Sequence, residues 1–262
     1  MSDGYKNYLR SIRIRKILIL VCQILLLVFA LLFWQFMANH NYINTFISSS
    51  PKLVMNTIFN LYKSNDLFHH IWVTTYETII SFVLGTIIGI IIAIILWCSK
   101  FLAKLLDPYL TIINSLPKVS LGPILIIWIG ANVKSIIVMA LLISVIITIV
   151  TIYNGFISVD INKINLLKSF KANRYQILRY LILPSNYKTI ISSLKINISM
   201  SLIGVIMGEL LVSKEGIGYL IMYGSQVFNL DLVISGIIIL MIVSYIMYLI
   251  ISYIEKILIK NN

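Results

Sequence analysis

Along this chain apolar residues come in long unbroken runs, not in the one-faced or alternating patterns of a water-soluble domain. Runs over Lys16–Met37, Thr74–Trp97, Pro108–Ile129, Val133–Tyr153, Thr189–Val212 and Leu230–Tyr253 each reach the roughly 20 residues that an α-helix needs to cross a bilayer. Beside six such spans and their connections no stretch is left for a separate soluble domain. The predicted fold is therefore all-α: a polytopic membrane protein of about six transmembrane helices, forming one domain over residues 1–262.

Two connections carry a pattern of their own. In the outer segment 38–70, Ser50-Pro51 opens an amphipathic helix with Val54, Ile58, Leu61 and Tyr62 on one side, as expected of a helix lying at the membrane interface. In the loop 154–188, Asp160 and Asn173 stand where N-caps of two short helices belong. The second helix gathers Ile177, Leu178, Leu181 and Ile182 into one stripe, turns Gln176 and Arg179 away, and is closed by Leu183-Pro184. The pair fits a compact knob below the membrane. It equally fits a helix resting on lipid with Lys171, Arg174 and Arg179 on anionic headgroups, and periodicity leaves both open.

Composition sharpens the class. Hydrophobic residues make up 60% of the chain, charged residues only 11%, and the mean hydropathy is +0.98, far outside the soluble range. The net charge of +12 is distributed by topology. Fifteen Lys and Arg fall in the N-tail, Cys98–Asp107, Asn154–Lys188 and the C-tail, against four (Lys52, Lys63, Lys134 and Lys214) in the alternate connections. Basic residues are held on the cytoplasmic side, so both termini and the loop 154–188 are expected there. A nucleic-acid partner would need basic residues gathered on one soluble face, which this distribution denies. The basic leader and first run share the layout of a signal sequence, but the apolar core is long and no A-x-A site follows. An uncleaved anchor with a cytoplasmic tail over 1–15 is expected.

Candidate chemistry is sparse. Cys22 and Cys98 sit in or beside apolar runs and read as small hydrophobes, and the adjacent His69 and His70 face different ways on a helix, so no metal or disulfide is expected. Neither HExxH nor GxSxG occurs, nor the phosphate loop GxxxxGK[ST], so the chain has no means of hydrolysing ATP and no cofactor is expected. Asp107-Pro108 reads as an N-cap and first helical residue opening the third span. Pro117 and Pro123 interrupt that span, and broken helices are tolerated where they face protein or a cavity. Lys118 would lie roughly 16 Å deep if the helix were regular, an intramembrane charge that marks either a substrate path or a fold-stabilising contact. Glu209 falls near the outer end of the fifth span, roughly 30 Å from its inner start, suited to a hydrogen bond between helices or to a gate. Gly85-xxx-Gly89 and Gly204-xxx-Gly208 offer close helix packing. A secondary transporter or channel is the competing class, but no clear inverted repeat is found, and Glu209 and Glu77 make poor ion relays.

The stretch NLLKSFKANRYQILRYLILP, Asn165–Pro184, resembles the cytoplasmic coupling loop of ABC-importer permeases, whose pattern is Glu-Ala-Ala, three residues, Gly, nine residues, Ile-x-Leu-Pro. The tail Leu181-Ile182-Leu183-Pro184 keeps it, whereas Asn165-Leu166-Leu167 replaces Glu-Ala-Ala and Lys171 replaces the Gly. Leu106–Gly130 resembles the signature of the branch serving nitrate, sulfonate, taurine and thiamine-pyrimidine-precursor importers, with Ser158–Asp160 and Gly216–Ile221 also in family register. The resemblance implies a type I importer permease of a bacterial inner membrane. It also implies two permease copies, two ABC ATPase subunits and an extracytoplasmic binding protein. Asn165, Lys171, Asn173, Arg174, Leu178, Leu181, Leu183 and Pro184 would couple to the ATPase. Pro117, Lys118, Pro123 and Glu209 would belong to the translocation path or its gate.

Overall fold

The computed structural model describes residues 3–260, and every regular element among them is helical. Met1, Ser2, Asn261 and Asn262 lie outside the described residues, as do the side chains of Lys6, Arg10, Arg13 and Lys16 in the basic leader. The first elements run α1 (Asp3–Asn39), α2 (Thr45–Ser48), α3 (Pro51–Lys63), α4 (Asp66–Cys98), α5 (Lys100–Ser115), a 3-10 turn (Lys118–Leu121), α6 (Gly122–Ile129) and α7 (Val133–Ile157). The loop that follows holds α8 (Ile161–Ser169), α9 (Arg174–Ile177), a π-helical turn (Leu178–Ile182) and α10 (Leu183–Ser185); then come α11 (Tyr187–Val212), α12 (Ile217–Gln226) and α13 (Leu230–Lys260).

Among the described residues five helices are long and apolar enough to cross a membrane: α1, α4, α7, α11 and α13. At the centre α7 packs between α4 and α11, and glycine makes this possible. Gly85 and Gly89 of α4 face Ser144 and Thr148 of α7, while Gly204 and Gly208 of α11 face Ala140 and Ile136. A Cβ at Gly89 would stand 2.6 Å from Thr148 Cβ, and one at Gly208 2.9 Å from Ile136 Cα. Both small-residue pairs therefore set helix spacing as expected. The expected interfacial helix behaves differently: Ser50 caps α3, but Val54 is buried and Ile58 and Leu61 join the core beside α13, with Ser235 Oγ donating to Val54 O at 3.3 Å; only Tyr62 is left exposed. Protein covers that apolar stripe more completely than an interface would. The N-tail is likewise no separate segment, since α1 is helical from Asp3.

The predicted third span is broken. α5 and the Lys118–Ile129 segment meet at 92°, because Pro117 forces Leu116 into an extended conformation (φ −65°, ψ 138°). Asp107-Pro108 does not open this element. Ser99 does, accepting from Leu102 N–H at 3.2 Å, and Pro108 lies inside α5, where it leaves Lys104 O without its helical donor. Pro123 sits in the first turn of α6, a position that needs no N–H.

Candidate functional site

The loop 154–188 is built from caps. Asp160 accepts from Asn162 N–H at 2.8 Å and starts α8. Asn173 starts α9 through a reciprocal box: Gln176 N–H donates to Asn173 Oδ1 at 2.8 Å and Asn173 N–H to Gln176 Oε1 at 2.7 Å. Between them the chain turns at Lys171, whose φ of 59° is left-handed. Lys171 N–H reaches Lys168 O at 2.8 Å and Ala172 N–H reaches Leu167 O at 3.1 Å, the two bonds of a Schellman stop. The turn is thus kept although Lys replaces Gly, at the steric cost a Cβ brings to that region. Lys171→Gly is expected to stabilise the protein by up to about 1 kcal/mol, raising its melting temperature by about 2–4 °C in a thermal unfolding scan of the purified protein.

The predicted apolar stripe points inward. Ile177, Leu178 and Ile182 are buried in a cluster with Ala93 of α4 and Ile152 and Phe156 of α7, and Leu181 and Leu183 pack against it. Leu178 therefore touches the chain's own core and not an outside groove. The helix is also not closed at Pro184. The backbone widens into the π turn just before it, which relieves the clash of the proline ring with the carbonyl one turn back, and continues almost directly into α11. Asn165, Lys171, Asn173 and Arg174 are exposed. Arg174 Nη1 donates to Cys98 O at 2.7 Å, tying the loop to the junction of α4 and α5. The exposed apolar residues at the tip are Leu166 and Phe170, 58% and 75% accessible.

At the broken span, Lys118 is half-buried and its Nζ donates to Asn114 O at 3.0 Å, closing the end of α5. The depth expected for a regular helix does not apply, because the helix has already ended. The other Lys within a span, Lys195, forms an ion pair with Glu255 of α13. Glu255 also accepts from Ser192 Oγ at 2.9 Å, and the Lys195 ammonium lies 5.8 Å from the centre of the Tyr248 ring.

Glu209 organises the end of α11 far from the loop 154–188. It is 1% exposed; Oε1 accepts from Thr74 Oγ1 at 2.7 Å and Oε2 from Gly218 N–H at 2.6 Å. Thr74 Oγ1 in turn accepts from Ile217 N–H at 2.8 Å, and His70 Nδ1 from Gly216 N–H at 2.9 Å. Three successive N–H groups at the start of α12 are thus satisfied by α4 and α11, with a carboxylate at the positive end of the helix. The glycines are required. Gly216 has φ 100°, and a Cβ there would meet Glu209 Oε2 at 2.6 Å, as one on Gly218 would at 2.8 Å. His69 Nε2 lies 3.1 Å from Glu215 Oε2 on the same turn.

Residues 85–260 match the family described as the binding-protein-dependent transport system inner membrane component. The chain belongs to that family. Among its relatives is a probable ABC transporter permease of Haemophilus influenzae, 29% identical over 234 residues that cover 89% of this chain and 92% of the relative. A putative aliphatic sulfonates transport permease of Bacillus subtilis is 25% identical and covers 87% and 82%. A solved bacterial ABC transporter involved in alginate import shares the fold, with a TM-score of 0.65 at 14% identity, covering 97% of this chain and 99% of that one.

Within the permease, Glu77 is the functional-site candidate that pattern reading undervalued. It is 1% exposed, and among the described residues the one group its carboxyl has to share a hydrogen bond with is the neighbouring carboxyl of Glu209. Glu77 lines a cavity of about 470 Å³ at the end of the bundle away from the loop 154–188, together with Asn132, Ser213 and Lys214. The signal was present: Thr74, Glu77, Thr78, Ser81 and Gly85 recur at helical spacing on an otherwise apolar helix and form its buried face.

Proposed function

We propose that two copies of this permease line the path of a small solute across the inner membrane. An extracytoplasmic binding protein delivers the solute, and a pair of separate ATPase subunits drives its passage. The observation that carries this reading is the α8–α9 knob, anchored by Ile177, Leu178 and Ile182 to the ends of α4 and α7 while it presents Leu166 and Phe170 outward. A knob fixed rigidly to two membrane helices carries a partner's closure into the bundle as a rigid-body movement. Each chain supplies one knob and no phosphate loop, so a pair of ATPases calls for a pair of permeases. The apolar faces that α1 and α5 leave exposed suit lipid and the second copy. The charge asymmetry supports a cytoplasmic side for both termini and the knob.

The substrate class is a small sulfonate-like anion, or an organic solute of the size of a thiamine pyrimidine precursor, after the substrates named for relatives of similar length. Against a secondary transporter or channel, both Lys residues within spans already have partners, Lys195 on Glu255 and Lys118 on Asn114 O. Vesicles holding the permease alone are expected to show no uptake with ATP and a solute gradient. Adding the cognate ATPase and binding protein gives ATP-dependent uptake. Flux through the permease alone, following the gradient and indifferent to ATP, would establish a facilitator instead.

A further inference from the structure

Behind the knob, where α4 and α7 end, lies a cavity of about 290 Å³ lined by Lys100, Lys168 and Arg174 among its residues. The three cations come from α5, α8 and α9 and are far apart in sequence, so the fold gathers them. No acidic side chain lines the cavity among the described residues; the nearest acid along the chain, Asp160, is engaged by Asn162 N–H. Arg174 directs one N–H to Cys98 O and keeps further donors in its fork. Trp97 and Tyr153 complete the rim and Ile161 adds apolar wall, the residue types that settle at the boundary between headgroups and acyl chains.

We propose that this cavity binds a phosphate group, specifically the phosphodiester of an anionic phospholipid in the cytoplasmic leaflet, with its chains along Trp97 and Ile161. Basic recesses between membrane helices on that side suit such headgroups. The site stays open in the assembled transporter. On the helical wheel of α8, Ile161, Ile164 and Lys168 fall on the face opposite Leu166 and Phe170, so a subunit docked on the tip leaves the cavity side free. Bound there, the lipid bridges the knob to the start of the broken span at Lys100. The inference rests on the cytoplasmic placement of the knob proposed above, and its failure would leave the uptake assay unaffected.

The test uses the full permease with Trp97 as the only tryptophan (W34F, W72F, W128F). It is reconstituted in phosphatidylcholine vesicles containing either dibrominated phosphatidylglycerol or dibrominated phosphatidylcholine as quencher. Each basic residue beside an anionic headgroup is worth about a fivefold preference, so quenching should favour phosphatidylglycerol by at least about fivefold. K168Q should reduce the preference by about fivefold and K100Q/K168Q should reduce it further, whereas K163Q, which alters a Lys of α8 outside the cavity, should leave it unchanged. A second arm titrates inorganic phosphate into pure phosphatidylcholine vesicles. A saturable change in Trp97 fluorescence, absent in K168Q, with no lipid preference would keep the phosphate site and make its source soluble. No response in either arm, or a lipid preference that K100Q/K168Q retains, overturns the proposal.

Discussion

Glu209→Leu is expected to disable transport while the permease still inserts in the membrane. The substitution strips Thr74 Oγ1 and Gly218 N–H of their acceptor at a site where Glu209 and Thr74 are fully buried. Each buried donor left without its acceptor costs about 1–3 kcal/mol, and water has no easy access to repair it. The loss falls on the turn Gly216–Gly218 and on α12, so amide exchange at those residues should rise well above that of the α7 core. Thr74→Val removes the hydroxyl that links Glu209 to Ile217 N–H and should cost about 1–3 kcal/mol. The double variant should be little worse than Glu209→Leu alone, because the two residues act through one network. Wild-type uptake together with wild-type protection at 216–218 in Glu209→Leu would refute this role.

How much of this was legible in sequence depended on whether the deciding contact was local. The caps at Ser50, Asp160 and Asn173 involve neighbours within three residues, and each stands where the pattern put it. Run length located all five unbroken spans, with ends extended where caps or turns lay further out: α4 begins at Asp66, not Thr74. The pattern of the related loops marked Lys171 as standing in place of Gly, but not that the left-handed turn would survive the exchange. Tertiary partners were hidden. An apolar stripe states that something covers it but not what, and both α3 and the π turn found their own bundle in place of lipid or a partner. Asp107-Pro108 has the form of a helix start, yet Ser99 caps the helix earlier and Pro108 lies inside it. Glu209 stands near the end of its span, as run length indicated, but its partners Thr74 and Gly218 lie 135 and 9 residues away, and nothing in their spacing announces the bond.

The inward turn of Leu178 changes where the coupling surface must be tested. Leu178→Asp would put a charge into the cluster of Ala93, Ile152 and Phe156 at a cost of several kcal/mol. It should reduce the amount of folded permease in the membrane, so a lost ATPase would follow trivially. Leu166 and Phe170 are exposed on the knob tip, and Asp is accommodated there in the free permease without loss of stability. Once the tip enters an ATPase groove the same charge is desolvated without a partner, and each 1.4 kcal/mol of that cost is tenfold in affinity. Phe170→Asp is therefore expected to weaken ATPase binding by about a hundredfold or more, and Leu166→Asp/Phe170→Asp to abolish it, with the melting temperature and membrane yield of the permease unchanged. Co-purification of tagged permease with its ATPase, read beside ATP-dependent uptake, separates the two classes: Leu178→Asp loses the permease, Phe170→Asp loses only the partner. If the double variant kept its ATPase at wild-type stoichiometry and turnover, the tip of α8 would not be the docking surface and the proposed coupling route through α4 and α7 would fail with it.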